Sequence, residues 1–278
     1  MEFCWDFRDY MDIKQEFCSE CSDINRKFFW MGPDSAANRC QDVDGEFSQI
    51  DAGNGMVFGV DATSFVYTRV GDAWVLFPGR LRHVTVGPAG VWGVGQDMGI
   101  YRLAAGGWRN VTGEQLLQLD AGGVGTVWGV DRFGSTHCLR VVRPGPVTTG
   151  GSPAFRIQGG RMKYLSCGPQ GCWGVSLADD VYHCHAACSS SCLITSWEQV
   201  SGKFQMVEVG TDGQVYAVSI SNQLYMRSGI TPERPTGQGW TNIQIGNLLF
   251  RHVTWDLGHL WLLTDNGRVV HCTGTDIS

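Results

Sequence analysis

A short apolar motif of the form Val-aromatic-Gly-Val recurs along the chain and limits what it can fold into. It stands at residues 57–60, 91–94 and 127–130, and at 172–175 with Cys in the first place. Weaker copies are Val215-Tyr216-Ala217-Val218 and Leu260-Trp261-Leu262-Leu263. The aromatic positions 58, 92, 128, 173, 216 and 261 lie 34, 36, 45, 43 and 45 residues apart. A period near 40 residues is that of a four-stranded propeller blade. The rest of the unit keeps step. An apolar–aromatic pair follows each motif (Val66-Tyr67, Ile100-Tyr101, Val181-Tyr182, Leu224-Tyr225), replaced by Thr136-His137 and Val269-Val270 in the third and sixth copies. Next comes a segment opened by Trp74, Trp108, Phe155, Trp197 or Trp240, with a Gly about five residues on, and then an alternating strand such as 82–87. Short β-rich runs bounded by Gly, Asp and Asn are strands. The 38 glycines among 278 residues suit that many turns. Six units of four strands predict an all-β chain, a six-bladed β-propeller. Trp92, Trp128 and Trp173, one per blade, are expected in the core between sheets.

The ends of the pattern complete one another. Residues 40–45 match the outer strands at 74–79 and 108–113, yet no blade precedes them; the last strand, 269–272, lacks an outer neighbour. The segment from Cys40 is therefore expected beside 269–272, closing the ring, with Cys40 against Cys272. A disulfide there spans about 230 residues, and the chain-entropy model assigns such a loop about 5 kcal/mol. Cys167 and Cys172 flank a tight turn in Cys-Gly-Pro-Gln-Gly-Cys, as a local disulfide would. His183, Cys184, His185, Cys188 and Cys192 resemble a zinc site only superficially, because the spacing matches no common zinc motif; disulfides, with Cys138 as one partner, are the favoured alternative. Eleven cysteines in a chain of this size point to an oxidising compartment. No signal peptide is visible: residues 1–11 are interrupted by Glu2, Asp6, Arg8 and Asp9 and lack an apolar core. Either a leader has been removed or the first residues are not the natural start. No apolar run approaches 20 residues, so no membrane span is expected, and the net charge of −6 argues against a nucleic-acid partner.

Several segments resemble tectonin repeats: Gln49-Ile50-Asp51-Ala52-Gly53, residues 84–94, Tyr164-Leu165-Ser166-Cys167-Gly168-Pro169, Cys172-Trp173-Gly174-Val175 and residues 256–261. Together they are similar to the fish-egg lectins, relatives of the tectonin-type tachylectins, over about residues 40–278 with matching blade order. The resemblance implies a secreted six-bladed lectin that recognises N-acetylglucosamine-type sugars and bacterial lipopolysaccharide in innate defence. It also implies the pairs Cys40–Cys272 and Cys167–Cys172, and a bond from Cys138 to a cysteine of the 184–192 insertion, taken as Cys192. The chain departs from the family in blade six, where Gly246, Asn247 and Leu263 stand and a further disulfide is missing, and in residues 1–39, which form an extension with no counterpart.

In a propeller, the loops after the Val-aromatic-Gly-Val strands share one face. A sugar site needs a carboxylate or amide to bridge neighbouring hydroxyls and an apolar platform for the ring. Asp61, Gln96, Asp97, Asp131, Asp180, Asn222, Asp265 and Asn266 offer the first, and Tyr67, Tyr101, Tyr182 and Tyr225 the second. Asp and Asn in such loops are also ordinary turn formers. Repetition around a ring favours weak sites that act together on a repetitive glycan surface. Aligned inner strands put Asp51, Thr85, Asp120, Ser166, Glu208 and Thr254 at one level of the channel. Asp51, Asp120 and Glu208 there could hold Ca²⁺ or simply be hydrated; no cofactor is required. The long joins 141–154, 185–196 and 228–239 lie on the opposite face, as a surface for a partner or self-association (a homo-oligomer) or as tolerated insertions. Asn110-Val111-Thr112 is a glycosylation sequon, expected on a turn. No nucleophile elbow, catalytic triad or metal triad appears, so an enzyme is not expected. A propeller scaffold for protein–protein contacts is the alternative to a lectin.

Overall fold

The structure, a computed structural model, describes residues 39–105, 107–141, 155–194 and 196–274. It is all-β apart from one short helix among the described residues. Strands β2 (Gln49–Gly53), β3 (Met56–Val60), β4 (Phe65–Val70) and β5 (Ala73–Arg80) form an antiparallel sheet in chain order. β6 (His83–Gly87), β7 (Gly90–Val94), β8 (Gly99–Ala104) and β9 (Gly107–Gln115) form the next. A ten-stranded run follows: β10 (Gln118–Asp120), β11 (Thr126–Val130), β12 (Ser135–Arg140), β13 (Arg156–Gly168), β14 (Gly171–Ser176), β15 (Asp180–His185), β16 (Glu198–Val209), β17 (Val215–Ser219), β18 (Leu224–Ser228) and β19 (Gly239–Ile243). β13 and β16 are long because each serves twice. The first part of β13 pairs with β12 and the second with β14; β16 divides likewise between β15 and β17. The last sheet reads β1 (Cys40–Glu46), β22 (Arg268–Thr273), β21 (His259–Thr264), β20 (Phe250–Asp256).

The repeat motif is the second strand of each quartet. Its aromatic residue always faces the same position of the inner strand: Asp51 opposite Phe58, Thr85 opposite Trp92, Asp120 opposite Trp128, Ser166 opposite Trp173, Glu208 opposite Tyr216 and Thr254 opposite Trp261. Trp92, Trp128 and Trp173 are fully buried between neighbouring quartets. Trp92 packs with Leu116, Leu119 and Val127 of the following strands, and Trp128 with Met162 and Leu165. Burying each such side chain contributes about 1.5–3 kcal/mol.

The outer strands are latched in turn. Trp108, Trp197 and Trp240 donate their indole N–H to the carbonyls of Pro78 (2.8 Å), Gly159 (2.9 Å) and Ser201 (2.7 Å) in the preceding outer strand. Gly79 and Gly160, at φ +123° and +102°, bend the receiving strand so that the indole lies against its backbone, where any side chain would collide with the ring.

Cysteine placement follows the strands. β1 pairs with β22 in a register that sets Cys40 opposite Cys272, and the two are bonded. Cys167–Cys172 crosses the β13–β14 turn. Cys138–Cys192 and Cys184–Cys188 hold the helix α1 (Ala186–Ser191) against β11, where Cys188 and Ser189 carbonyls accept from Trp128 and Thr126. The His183–Cys192 cluster is thus a pair of disulfides.

One sequence expectation changes. Asn110 is exposed within β9, paired with Tyr101, and not on a turn. Residues 142–154 of the first long join, and residues 1–38 of the extension 1–39 with Cys4, Cys18 and Cys21, lie outside the described residues.

Candidate functional site

The rim loops expected to hold sugar are closed on themselves. Asp61 Oδ1 accepts from the backbone N–H of Thr63 (2.8 Å) and Phe65 (2.9 Å), and Asp131 Oδ1 from those of Phe133 and Ser135 (both 2.8 Å). Asp97 accepts from Gly99 N–H (3.0 Å), and Asp265 from Asn266 N–H (2.9 Å). Thr264 donates to the Asn266 amide oxygen (2.6 Å), Gln205 to that of Asn222 (2.8 Å), and the Gln96 amide reaches the Ser64 hydroxyl. Asp180 pairs with Lys203 at 2.8 Å and borders a shallow recess of about 430 Å³. The four tyrosines are half-buried. Tyr67 meets Phe47 edge to face and Tyr225 meets Phe204 likewise, while Tyr101 and Tyr182 pack on core clusters. The hydroxyls of Tyr67 and Tyr101 reach Asp61 and Asp97 at 3.5 Å. Most of these carboxylates and amides therefore shape turns.

The inner-strand acids are likewise spent. Asp51 Oδ2 accepts from Val86 N–H (2.7 Å), and Asp120 Oδ1 from Cys167 N–H (2.9 Å), each across to the next sheet. Thr85, Ser166 and Thr254 do the same through their hydroxyl oxygens, accepting from Ala121 (3.0 Å), Val209 (2.9 Å) and Ala52 (3.0 Å). Burial raises Asp51 to about 6, and burial plus the Asp51 charge raises Asp120 to about 8; burial also lifts Glu208 well above the usual carboxylate range. Asp51 and Asp120 thus stitch neighbouring strands, and burial favours the protonated form of Asp120 and Glu208. Among the described residues no group of three or more His, Cys, Asp or Glu is arranged to hold a metal ion. This geometry lends the Ca²⁺ expectation for Asp51, Asp120 and Glu208 no support.

A larger concave site lies on the opposite face, between the β1–β22–β21–β20 sheet and the β2–β5 sheet. It encloses about 700 Å³ and is lined by Gln41, Val57, Arg69, Asp72, Leu257, His259, Trp261 and His271, among others. One wall is a stack. The His271 ring lies on the Trp261 indole at 3.9 Å between centroids and 15° between planes, and His259 stacks on His271 at 5.1 Å and 19°. His259 Nδ1 and His271 Nε2 are 2.9 Å apart, so one proton serves both. Burial, then the charges of His259 and Arg69, lower His271 to about 4, so it is neutral at physiological pH. Arg69 faces Asp72 at 3.7 Å and leans over Trp74. Leu257, 64% exposed, and Val70 form the apolar lip. An aromatic wall with a guanidinium, a carboxylate and an amide at its edge is the combination that binds a sugar's face and its hydroxyls.

The Tectonin domain family matches residues 46–265. The chain belongs to that family. Over 238 residues this tectonin chain is 34% identical to the fish-egg lectin of Cyprinus carpio, an alignment covering 85% of the chain and 99% of that relative. Solved structures share its fold at low identity. Virginiamycin B lyase from Staphylococcus aureus is 11% identical with a TM-score of 0.56, covering 81% of this chain and 79% of that one. The β-propeller domain of Myceliophteria thermophila Cps50 is 7% identical with a TM-score of 0.54, covering 82% and 83%. The tectonin chain is thus an all-β protein with propeller-like neighbours.

Sequence reasoning missed the groove. Its residues come from positions 41, 57, 69–72, 257–261 and 271, on strands from both ends of the chain, and no local pattern unites them. The available signal was the predicted closure: once residues 40–45 lie beside 269–272, His259, Trp261 and His271 fall next to the first sheet.

Proposed function

We propose that residues 40–278 form a secreted, non-enzymatic lectin domain, a six-bladed propeller closed by β1 and the Cys40–Cys272 bond, after the extension 1–39. Its ligands are N-acetylglucosamine-type sugars and bacterial surface glycans such as lipopolysaccharide, engaged in innate recognition. The observation that carries this reading is the alignment with nearly the whole length of a fish-egg lectin, and the groove beside Trp261 and His271 supplies geometry suited to it. A pyranose would lie against the His271–His259 wall with Arg69, Asp72 and Gln41 at its hydroxyls. The exposed rim residues Gln96, Asp97, Asp265 and Asn266 remain as weaker subsites, which would add avidity on a dense glycan surface. The disulfides support an extracellular setting.

Retention on immobilised N-acetylglucosamine, with free sugar and then EDTA as competitors, tests the reading. Elution by free sugar and indifference to EDTA is the expected result. Failure to bind any immobilised amino sugar with the disulfides intact would turn attention to a protein-binding scaffold.

A further inference from the structure

The face bearing the loops between second and third strands is divided in two. At the tips of three consecutive loops stand Phe133, Leu177 and Ile220, which are 58%, 59% and 61% exposed. At the place of Leu177 and Ile220 the remaining loops carry Ala62, Gln96 and Asp265 beside polar neighbours. Four cations border the apolar half, two of them ion-paired, and Arg80 stands likewise at the Thr63 carbonyl of the polar half. Arg132 lies over the Phe133 ring at 4.7 Å, and Arg161 donates to the Phe133 carbonyl (2.8 Å). Lys203 donates to the Ala178 carbonyl (2.9 Å), and Lys163 pairs with Asp179. Lys163 and Lys203 are two of the four lysines in a chain of net charge −6. The acids there, Asp131, Asp179 and Asp180, are engaged in turn or ion-pair contacts.

We propose that this half of the rim docks onto a lipid bilayer carrying anionic headgroups. Separate apolar tips on rigid loops suit the interfacial layer of a membrane, and the surrounding Arg and Lys complement its charge. The loop backbones meet the requirement that polar groups entering such a layer be satisfied internally. Gly134, Asp179 and Asn222 donate their N–H to the carbonyls of Asp131, Ser176 and Ser219. The Ser176 hydroxyl oxygen accepts from Ala178 and Asp180 N–H, and that of Ser219 from Ser221 and Gln223 N–H. Docking this face leaves the Trp261 groove on the far side, so the two surfaces act independently.

Co-sedimentation of the full chain with vesicles of phosphatidylcholine, with and without phosphatidylglycerol, tests the proposal, because neither lipid carries a sugar. Binding only to the phosphatidylglycerol vesicles, unaffected by free N-acetylglucosamine, is expected. Leu177→Ser with Ile220→Ser should weaken it by about tenfold or more, and Arg132→Gln with Lys203→Gln should weaken it and flatten its salt dependence. An unchanged thermal midpoint of the double tip variant establishes that it folds. Absence of binding to anionic vesicles, binding that the tip variant retains, or a Leu177-dependent dimer in sedimentation analysis would each overturn the proposal. None of these outcomes bears on sugar retention.

Discussion

The hydroxyl of Thr254 donates to Asp51 Oδ1 at 2.9 Å, although 203 residues separate the two in the chain. The same oxygen accepts the Ala52 N–H at 3.0 Å, so one side chain joins β20 to β2 twice. Thr254→Val keeps the shape and removes both bonds. It should cost about 1–2 kcal/mol, since the buried Ala52 N–H loses one of its two acceptors and the Asp51 carboxylate loses a donor, read as a lower urea midpoint with an unchanged slope.

The disulfides should differ in worth. Cys40–Cys272 closes 232 residues and Cys167–Cys172 only 5. In the chain-entropy model these correspond to about 5 and about 2 kcal/mol. Urea unfolding of Cys40→Ser/Cys272→Ser and of Cys167→Ser/Cys172→Ser should rank them in that order.

Stability should depend on pH in two opposed ways. Burial lowers His83 and His252 to about 3, so the unfolded chain takes up protons below pH 6.5 that the folded one refuses, and stability falls as pH drops from there toward 3. Asp51 and Asp120 are raised to about 6 and about 8, so the folded chain keeps protons that the unfolded one releases above about 3.8, and stability falls as pH rises from there toward 8. The two effects offset in mildly acidic solution. The thermal midpoint should be highest there and decline between pH 6.5 and 8. Asp120→Asn, which keeps an acceptor for Cys167 N–H, should flatten that decline.

Sugar retention should follow the groove, not the turns. His271→Ala uncovers Trp261 and removes the stacked wall, so affinity for N-acetylglucosamine should fall by about fivefold to tenfold. Asp61→Ala opens a turn instead. It should lower the thermal midpoint and leave the sugar dissociation constant within about twofold. Titration calorimetry on both variants separates the two.

Gly122 tolerates no side chain: a Cβ there would run into the Cys167 carbonyl oxygen of the next strand. Gly122→Ala should cost about 1–3 kcal/mol, measured by the same urea titration.

The strands, the sheet order and the pairs Cys40–Cys272 and Cys167–Cys172 were legible because they repeat or because few residues could fill them, whereas the Cys184–Cys188 pair was not. Trp92 and Trp128 recur at fixed places and proved buried. Asp61 and Asp131 were ambiguous for a physical reason: a carboxylate that closes an Asx turn and one that binds a hydroxyl look alike in sequence. Their N–H partners decide, and those appear only in the folded loop. The stack of Trp261, His271 and His259 was hidden because β21 and β22 bring it together at the edge of the first sheet. Nor could composition reveal that Asp51, Thr85, Asp120, Ser166 and Thr254 all perform one task, since three residue types carry it out.

That shared task bears on how such a chain can change in length. At this level Thr85 accepts one N–H from the following sheet, while its neighbour Val86 donates one to the preceding sheet. Every unit that both gives and receives in this way is interchangeable with its neighbours. A whole unit can be duplicated or lost and leave no donor or acceptor unanswered, whereas half a unit cannot. Growth by entire repeats is therefore the cheap route for this architecture, whatever residues fill the loops.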